Sequence, residues 1–305
     1  MISVCIPIHN FDCSELIRSL SRQRKGREDQ LEIILMDDAS NFNFQKKYQK
    51  LSSDCRFYQL KENVGRSKIR NMLAQKATHN FLLFIDGDSA VISDHFISDY
   101  IKILKAKPDL QVICGGSIYQ ESPPPKSFLL RWKYSRKREI KTFDKSKKQA
   151  YRSFTSNNFM INKKLFESIQ FDERVSGYGH EDTLLGFRLK QLNIQILHLR
   201  NPVLNQNLDG NRLFLKKTEE SLENLLRIDY FLDRNEEFRT LMPLLKFYCV
   251  LKQLKITFIL RFLGKKILPF LKTNLEHKEP SLLFFDLYRL ISLSVIDNKI
   301  KTKGF

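Results

Sequence analysis

The feature that most constrains this chain is a short, unbroken apolar run, Phe81–Ile85, that stops at Asp86-Gly87-Asp88. An apolar run without polar alternation indicates a strand that is buried on both faces, as in a parallel sheet covered by helices. The run is shorter than a typical helix and a glycine closes it, which favours a strand. We therefore expect Asp86 and Asp88 at the carboxyl end of a central strand.

Two carboxylates at the end of a strand suit a divalent-metal site. Open α/β sheets bind ligands in the crevice beyond the carboxyl ends of their strands. Mg²⁺ and Mn²⁺ prefer carboxylate oxygens and often complete their shells with water and substrate phosphates. Asp-Gly-Asp is also a common polar turn after a strand, and alone this tripeptide does not choose between a site and a turn.

Two more β-rich runs support an α/β architecture. Residues 2–8 read as an N-terminal strand that contains Pro7, and residues 31–36 read as a second strand. The second run ends in Asp37 and Asp38, so two strands are expected to deliver carboxylates to one edge of the sheet.

Charge and cysteine content limit the partners and the compartment. The chain has 52 Lys and Arg against 34 Asp and Glu, a net charge of +18, which suits nucleic acid, anionic lipid or phosphorylated substrates and does not choose among them. The five cysteines form no C-x-x-C pair and no basic, apolar leader opens the sequence. We expect a cytoplasmic protein.

Several stretches taken in order carry a resemblance to a known family. They are the first strand with Pro7, Asp37-Asp38-Ala39-Ser40, residues 63–71 from Asn63 through Gly65-Arg66 to Arg70-Asn71, Asp86-Gly87-Asp88, residues 157–161, and Gly177-Tyr178-Gly179-His180-Glu181-Asp182. Each is common alone, but their order resembles bacterial, non-processive family 2 glycosyltransferases of the GT-A fold. The resemblance covers roughly residues 1 to 215.

The resemblance implies a fold and a division of the chain. The fold is a Rossmann-like, mostly parallel central sheet flanked by helices. Residues 1–110 would form the nucleotide-sugar half, 111–215 the acceptor half, and 216–305 a helical C-terminal region. The activity implied is inverting transfer from a nucleotide sugar, such as a UDP-sugar, to a saccharide or lipid-linked acceptor.

The resemblance also implies donor-binding and metal-binding residues. The donor side would consist of Pro7, Asp38, Asn63, Gly65, Arg66, Arg70, Asp86, Gly87 and Asp88. Asp86 and Asp88 would hold Mn²⁺ or Mg²⁺ against the diphosphate. Many relatives place a metal-binding His where this chain has Asn205, which is a weaker ligand and leaves the third protein ligand open.

Glu181 and Asp182 stand just before the apolar positions of an amphipathic helix. Acids are common in the first turn of a helix, so a capping role is one interpretation. The other is that one of them takes the proton of the acceptor hydroxyl, and in the resembled family the second acid is usually that base. We expect Asp182 to be the base and Glu181 to contact substrate.

Two pairs of neighbouring residues, each containing glycine, are candidates for contact with sugar or acceptor. Gly115 and Gly116 interrupt a β-rich run, which reads either as a bulged strand or as close approach to a substrate. Gly179 and His180 lie in the resembled Gly-x-Gly-x-Glu-Asp segment and would contact the acceptor.

The helical tail leaves two interpretations open. Residues 241–271 are apolar but carry six basic residues, too many to span a bilayer, and would either lie on the anionic inner membrane face or pack on the catalytic domain. A different class of function is a non-catalytic, basic membrane- or nucleic-acid-binding protein. The many acids expected at the cleft speak against nucleic acid.

Overall fold

The computed structural model describes residues 1–139, 149–277 and 279–302. The strands are β1 (Ile2–Ile8), β2 (Leu31–Asp37), β3 (Arg56–Gln59), β4 (Phe81–Ile85), β5 (Ser89–Val91), β6 (Val112–Cys114), β7 (Ser117–Ile118), β8 (Asn158–Asn162), β9 (Ile196–His198) and β10 (Val203–Asn205). The helices are α1 (Ser14–Arg24), α2 (Phe42–Gln49), α3 (Arg66–Lys76), α4 (Phe96–Ala106), α5 (Leu129–Tyr134), α6 (Lys163–Ile169), α7 (Glu181–Gln191), α8 (Asn211–Phe231), α9 (Glu236–Leu241), α10 (Pro243–Gln253), α11 (Thr257–His277) and α12 (Leu282–Thr302).

The described residues divide into two compact units. The first contains residues 1–120, 149–174 and 181–207, and the second contains residues 121–139, 175–180, 208–277 and 279–302. The division at residue 215 that the resemblance implies stays a prediction. No described helix is long and apolar enough to cross a membrane.

The first unit is built on a seven-stranded sheet with the order β3-β2-β1-β4-β8-β6-β9. Strands β1 to β4 pair in parallel, as do β6 and β9, while β8 runs antiparallel between β4 and β6. Together with the helical second unit, this confirms the predicted mostly parallel sheet flanked by helices and the helical C-terminal region.

Strand β4 is apolar throughout because helices cover both of its faces. Leu83 and Ile85 belong to the core on the side of α1 and α4, whereas Leu82 and Phe84 belong to the core on the side of α3, α6 and α7. All four side chains are fully buried. Burial on both faces therefore removes the polar alternation that a half-exposed strand would show.

A second, three-stranded sheet in the first unit has the order β5-β10-β7. The predicted bulged strand around Gly115 and Gly116 is two strands, because β6 belongs to the large sheet and β7 to the small one. The glycine pair is the point at which the chain passes from one sheet to the other.

The second unit has a core of its own. Its helices bury Phe214, Leu275 and Phe285 together. A polar centre lies at Asp297, which is 1% exposed and accepts hydrogen bonds from Tyr248 at 2.8 Å and from Tyr230. This carboxylate ties α8, α10 and α12 to one another.

Candidate active site

The candidate site lies at one edge of the large sheet. Strands β1, β2 and β4 are parallel, so their carboxyl ends meet there and bring Asp38 and Asp86 to the same edge. Antiparallel β8 begins at the same edge, because Asn158 pairs with Ile85. The sheet therefore gathers side chains from four strands that lie far apart in the sequence.

The Asp38 carboxylate positions the loop before α3. It accepts hydrogen bonds from the backbone N–H groups of Val64 at 2.7 Å and Gly65 at 3.1 Å. The Asn63 amide donates to the Asp38 carbonyl at 3.2 Å. Gly65 has φ +83°, in the left-handed region that glycine adopts without strain. Asp38 is nearly buried, so its observed role is to hold this loop, and its contact with a nucleotide stays a prediction.

Gly87 brings the turn Asp86-Gly87-Asp88 into close contact with β1. Its N–H donates to the Pro7 carbonyl at 3.2 Å. A Cβ atom at this position would lie 2.9 Å from that same carbonyl oxygen and would overlap the Ile8 side chain. Only glycine lets Asp86 and Asp88 sit this close to the end of β1.

Buried Arg70 contacts an acid of each of two motifs, Asp86-Gly87-Asp88 and Glu181-Asp182. Its Nη2 donates to Asp86 Oδ1 at 2.6 Å, and its Nη1 lies 3.6 Å from Glu181 Oε1. Arg66 lies 3.6 Å from the same Glu181 oxygen. The Arg70 guanidinium also lies 5.4 Å from the centroid of the Phe171 ring. Because buried charges must be paired, this network fixes Asp86 and Glu181 in one site.

Asp88 has the electrostatics of a cation ligand. Burial, and then the neighbouring Asp86 carboxylate, raise the pKa of Asp88 to about 6. Asn207 forms a hydrogen bond with the Asp88 carboxylate that opposes this shift. Two carboxylates held close together favour binding of a divalent cation, which would relieve their repulsion. The residues present therefore fit Mn²⁺ or Mg²⁺.

Asn205 lies beside this acid pair. It pairs with Ser89, the residue after Asp88, across β10 and β5. Its amide oxygen accepts a hydrogen bond from the Asn207 N–H at 3.1 Å. Within the described ranges, no group of three His, Cys, Asp or Glu side chains is arranged to hold a metal ion. A cation here would take its remaining ligands from water and phosphate oxygens.

Asn205→His is expected to tighten Mn²⁺ binding by about tenfold, a scale typical of changes around metal sites. An imidazole nitrogen is a better ligand for Mn²⁺ than an amide oxygen. Titration calorimetry on the full chain measures this. Gln206→His is the matched control, because Gln206 meets Asp88 through its backbone N–H at 2.9 Å. Equal Mn²⁺ affinity of Asn205→His and the wild type would remove Asn205 from the site.

Glu181 and Asp182 begin α7 and differ in their surroundings. Glu181 is 5% exposed and faces two arginines. The Asp182 carboxylate accepts a hydrogen bond from the Thr183 N–H at 2.7 Å. Burial, and then the neighbouring Glu181 carboxylate, raise the pKa of Asp182 to about 7. A carboxylate that titrates near neutral pH is suited to general base catalysis, whereas an arginine-paired one is suited to binding.

The two glycines between the sheets differ from each other. A Cβ atom at Gly115 would overlap Tyr100 and Asn158 and would lie 2.8 Å from the Asn201 carbonyl, so Gly115 is needed for packing. Gly116 has φ +78° and no atom within 4 Å of such a Cβ. Of this pair, only Gly116 has open space beside it for a substrate.

Gly179 and His180 belong to the second unit. Both have positive φ, +93° and +70°, and Asn224 of α8 donates to the Gly179 carbonyl at 3.2 Å. Burial, and then the positive charge of Arg289, lower the pKa of His180 to about 4, so it is neutral at pH 7. Contact of these two residues with an acceptor stays a prediction.

Sequence reasoning gave no individual site role to three polar residues at this edge. Asn207 bonds to Asp88, His9 Nδ1 donates to the Asp38 carbonyl at 2.8 Å, and the Asn157 carbonyl accepts from the Asp86 N–H at 3.2 Å. The Asn157 side-chain oxygen is buried without a hydrogen-bond partner among the described residues. The polar run after β10 gave a signal for Asn207, but nothing local distinguished His9.

Comparison with models of known families gives a match over more than half of the chain. The sequence profile of glycosyl transferase family 2 matches residues 3–170, which include every donor-side candidate. A search of curated proteins finds no match.

Solved structures share the fold at low sequence identity. S. aureus TarS 1-349 in complex with UDP is 19% identical, with a TM-score of 0.53, over 100% of this chain and 92% of that chain. Mannosyltransferase PcManGT from Pyrobaculum calidifontis, in complex with GDP-Man and Mn²⁺, is 12% identical, with a TM-score of 0.61, over 100% and 88%. Glucosyl-3-phosphoglycerate synthase from Mycobacterium tuberculosis, with Mn²⁺, UDP and glucosyl-3-phosphoglycerate, is 18% identical, with a TM-score of 0.50, over 74% and 79%. These neighbours confirm the GT-A fold.

Proposed function

This chain belongs to glycosyl transferase family 2, and we propose that it transfers a hexosyl or N-acetylhexosaminyl group from a UDP-sugar to a hydroxyl of a saccharide or lipid-linked saccharide. The process we propose is surface polysaccharide synthesis on the cytoplasmic side of the membrane. UDP and UDP-GlcNAc are the ligands in two TarS complexes, which supports this donor class. The observation that carries the proposal is the buried Arg70 bridge between Asp86 and Glu181.

The reaction needs a base, an oriented acceptor and a stabilised leaving group. In the proposed reaction Asp182 takes the proton from the acceptor hydroxyl while its oxygen bonds to the anomeric carbon. The bond from that carbon to the diphosphate breaks on the opposite face, so the configuration inverts and the nucleoside diphosphate leaves with the electron pair. Glu181 would accept hydrogen bonds from substrate hydroxyls, and Arg66, which is partly exposed, would face the diphosphate.

A divalent metal fits this scheme through Asp86 and Asp88. When bound, Mn²⁺ or Mg²⁺ neutralises the charge that develops on the leaving diphosphate. The raised pKa of Asp88 is the property of this chain that supports such a cation. Arg70 would keep Asp86 oriented whether or not the cation is present.

Nucleotide protection of the full chain against thermal unfolding tests the proposed function. We expect UDP to raise the unfolding temperature, and to raise it further with Mn²⁺. A free UDP concentration of about 100 times its Kd would raise the free energy of unfolding by about 2.7 kcal/mol. A non-catalytic basic protein would respond to neither ligand in this manner, and absence of any UDP or Mn²⁺ effect would overturn the proposal. Screening nucleotide sugars for hydrolysis then identifies the donor.

A further inference from the structure

The second unit exposes many large apolar side chains. Eleven of the sixteen large hydrophobic residues that are exposed in the described part of the chain lie between positions 247 and 287. They form what we name the apolar face: Phe247, Val250, Leu254, Phe258, Ile259, Phe262, Leu263, Phe270, Leu283, Phe284 and Leu287. Single exposed hydrophobic residues are ordinary, but a continuous patch marks an interaction surface.

Helix α11 provides the centre of the apolar face. Phe258 and Phe262 are 66% and 68% exposed, and Phe270 follows two turns later on the same side of the helix. The opposite side packs on α12, where a Cβ atom at Gly264 would lie 2.7 Å from Ile291. The helix is thus held in the fold by its inner side, and its outer side is left without a partner among the described residues.

The patch continues onto both neighbouring helices. The Phe270 and Phe284 rings lie 6.3 Å apart, which links α11 to the exposed start of α12. Phe247 and Val250 lie on α10 and Leu254 directly follows it, at helical spacing, where the chain turns into α11. The apolar face therefore extends over three helices of one unit.

The charges along α10 and along α11 as far as residue 275 are of one sign. Residues 243–275 contain seven Lys or Arg and no Asp or Glu. At the start of α12, Asp286 is paired with Arg138 and Arg289. Lys252 is used internally in an ion pair with Asp297 at 2.9 Å. Lys246, Lys255 and Lys266 are exposed and form no ion pair with any described residue. Three positive charges are thus available to a partner beside the exposed aromatic rings.

We propose that the apolar face docks on the surface of an anionic lipid bilayer. The aromatic rings would enter the headgroup and acyl boundary while the three lysines contact anionic headgroups. A second copy fits less well, because pairing two such faces would bring like charges together. This proposal does not depend on the sugar-transfer activity.

Vesicle flotation of the full chain tests the docking surface. We expect binding to phosphatidylcholine vesicles that contain phosphatidylglycerol and much weaker binding to pure phosphatidylcholine. Lys255→Glu with Lys266→Glu should weaken binding at least about tenfold, since each lysine near such a surface contributes noticeably. Phe258→Ser with Phe262→Ser should have an effect of similar size. Both pairs are exposed, so folding should be kept, and circular dichroism verifies this.

Matched controls lie in the first unit. Lys102→Glu with Lys107→Glu makes the same charge change on exposed residues, and Phe42→Ser removes a ring that is 66% exposed. These variants should bind like the wild type. Equal binding to neutral and anionic vesicles, or wild-type binding of both test pairs, would overturn the proposal. So would a dimer in sedimentation that Phe258→Ser with Phe262→Ser dissolves, because the face would then cover a second copy.

Discussion

Asp182→Asn is expected to lower sugar transfer by about 10²-fold or more, the usual scale for loss of a positioned general base. The amide keeps the size and hydrogen bonding of the carboxylate and removes its basicity. Affinity for UDP and for Mn²⁺ should stay at the wild-type level, since the metal and donor candidates are other residues. Transfer rates at saturating donor, together with calorimetric titration of UDP, measure both expectations.

Glu181→Gln is the comparison variant. Glu181 faces Arg66 and Arg70 at 3.6 Å, so its carboxylate is held between two cations, an arrangement suited to binding substrate hydroxyls. Its replacement should raise the KM for acceptor more than it lowers kcat. Near wild-type transfer by Asp182→Asn would move the base elsewhere, and Glu181 would be the first residue to test.

The same Asp182→Asn variant gives a readout that does not involve activity. The folded-state pKa of Asp182 is about 7, against about 3.9 for an aspartate in an unfolded chain. Between these values the folded protein binds the proton more tightly, so this residue lowers the free energy of unfolding as pH rises. The variant should match the wild type near pH 4 and exceed its stability at pH 8 by at least about 1 kcal/mol. Denaturant unfolding at both pH values measures the difference in the free energy of unfolding. A variant that is less stable than the wild type at pH 8 would contradict the raised pKa.

The sheet could be predicted from the sequence because its strands carry local signals. Phe81–Ile85 is apolar without alternation because both faces of β4 are buried, and this property is visible in the run itself. The passage from β6 to β7 could not be predicted, because Val112 to Tyr119 is equally β-rich on both sides of the glycines. Which sheet each half joins depends on pairing with β9 and with β10, far along the chain.

The candidate site could be predicted only as separate motifs. The positions of Asp86 and Glu181 followed from strand ends and from the resemblance, which also placed Arg70 on the donor side, but the bridge from Arg70 to Glu181 was not predicted. Arg70 is on α3, and its burial between the two acids depends on how α3 and α7 pack on the sheet. Asp38 is a similar case, since its partners are backbone N–H groups that a residue pattern does not reveal.

Asp88→Ala is expected to abolish metal-supported binding of the nucleotide sugar while the fold is kept. The side chain is partly exposed at the end of β4, so its removal opens no core cavity and relieves repulsion with Asp86. With one carboxylate left, the cation loses a ligand, and we expect Mn²⁺-dependent UDP affinity to fall at least about tenfold. Calorimetric titration of UDP with and without Mn²⁺ isolates the metal-dependent part.

Asp94→Ala is the matched control, because Asp94 is an exposed acid a few residues further along the same unit. It removes the same charge without touching the pair, so UDP binding should keep its Mn²⁺ dependence. The comparison separates a specific ligand from a general effect of negative charge on cation affinity. Undiminished Mn²⁺-dependent binding in Asp88→Ala would contradict the assignment, and the raised pKa of Asp88 would then reflect only its burial and the neighbouring Asp86 carboxylate.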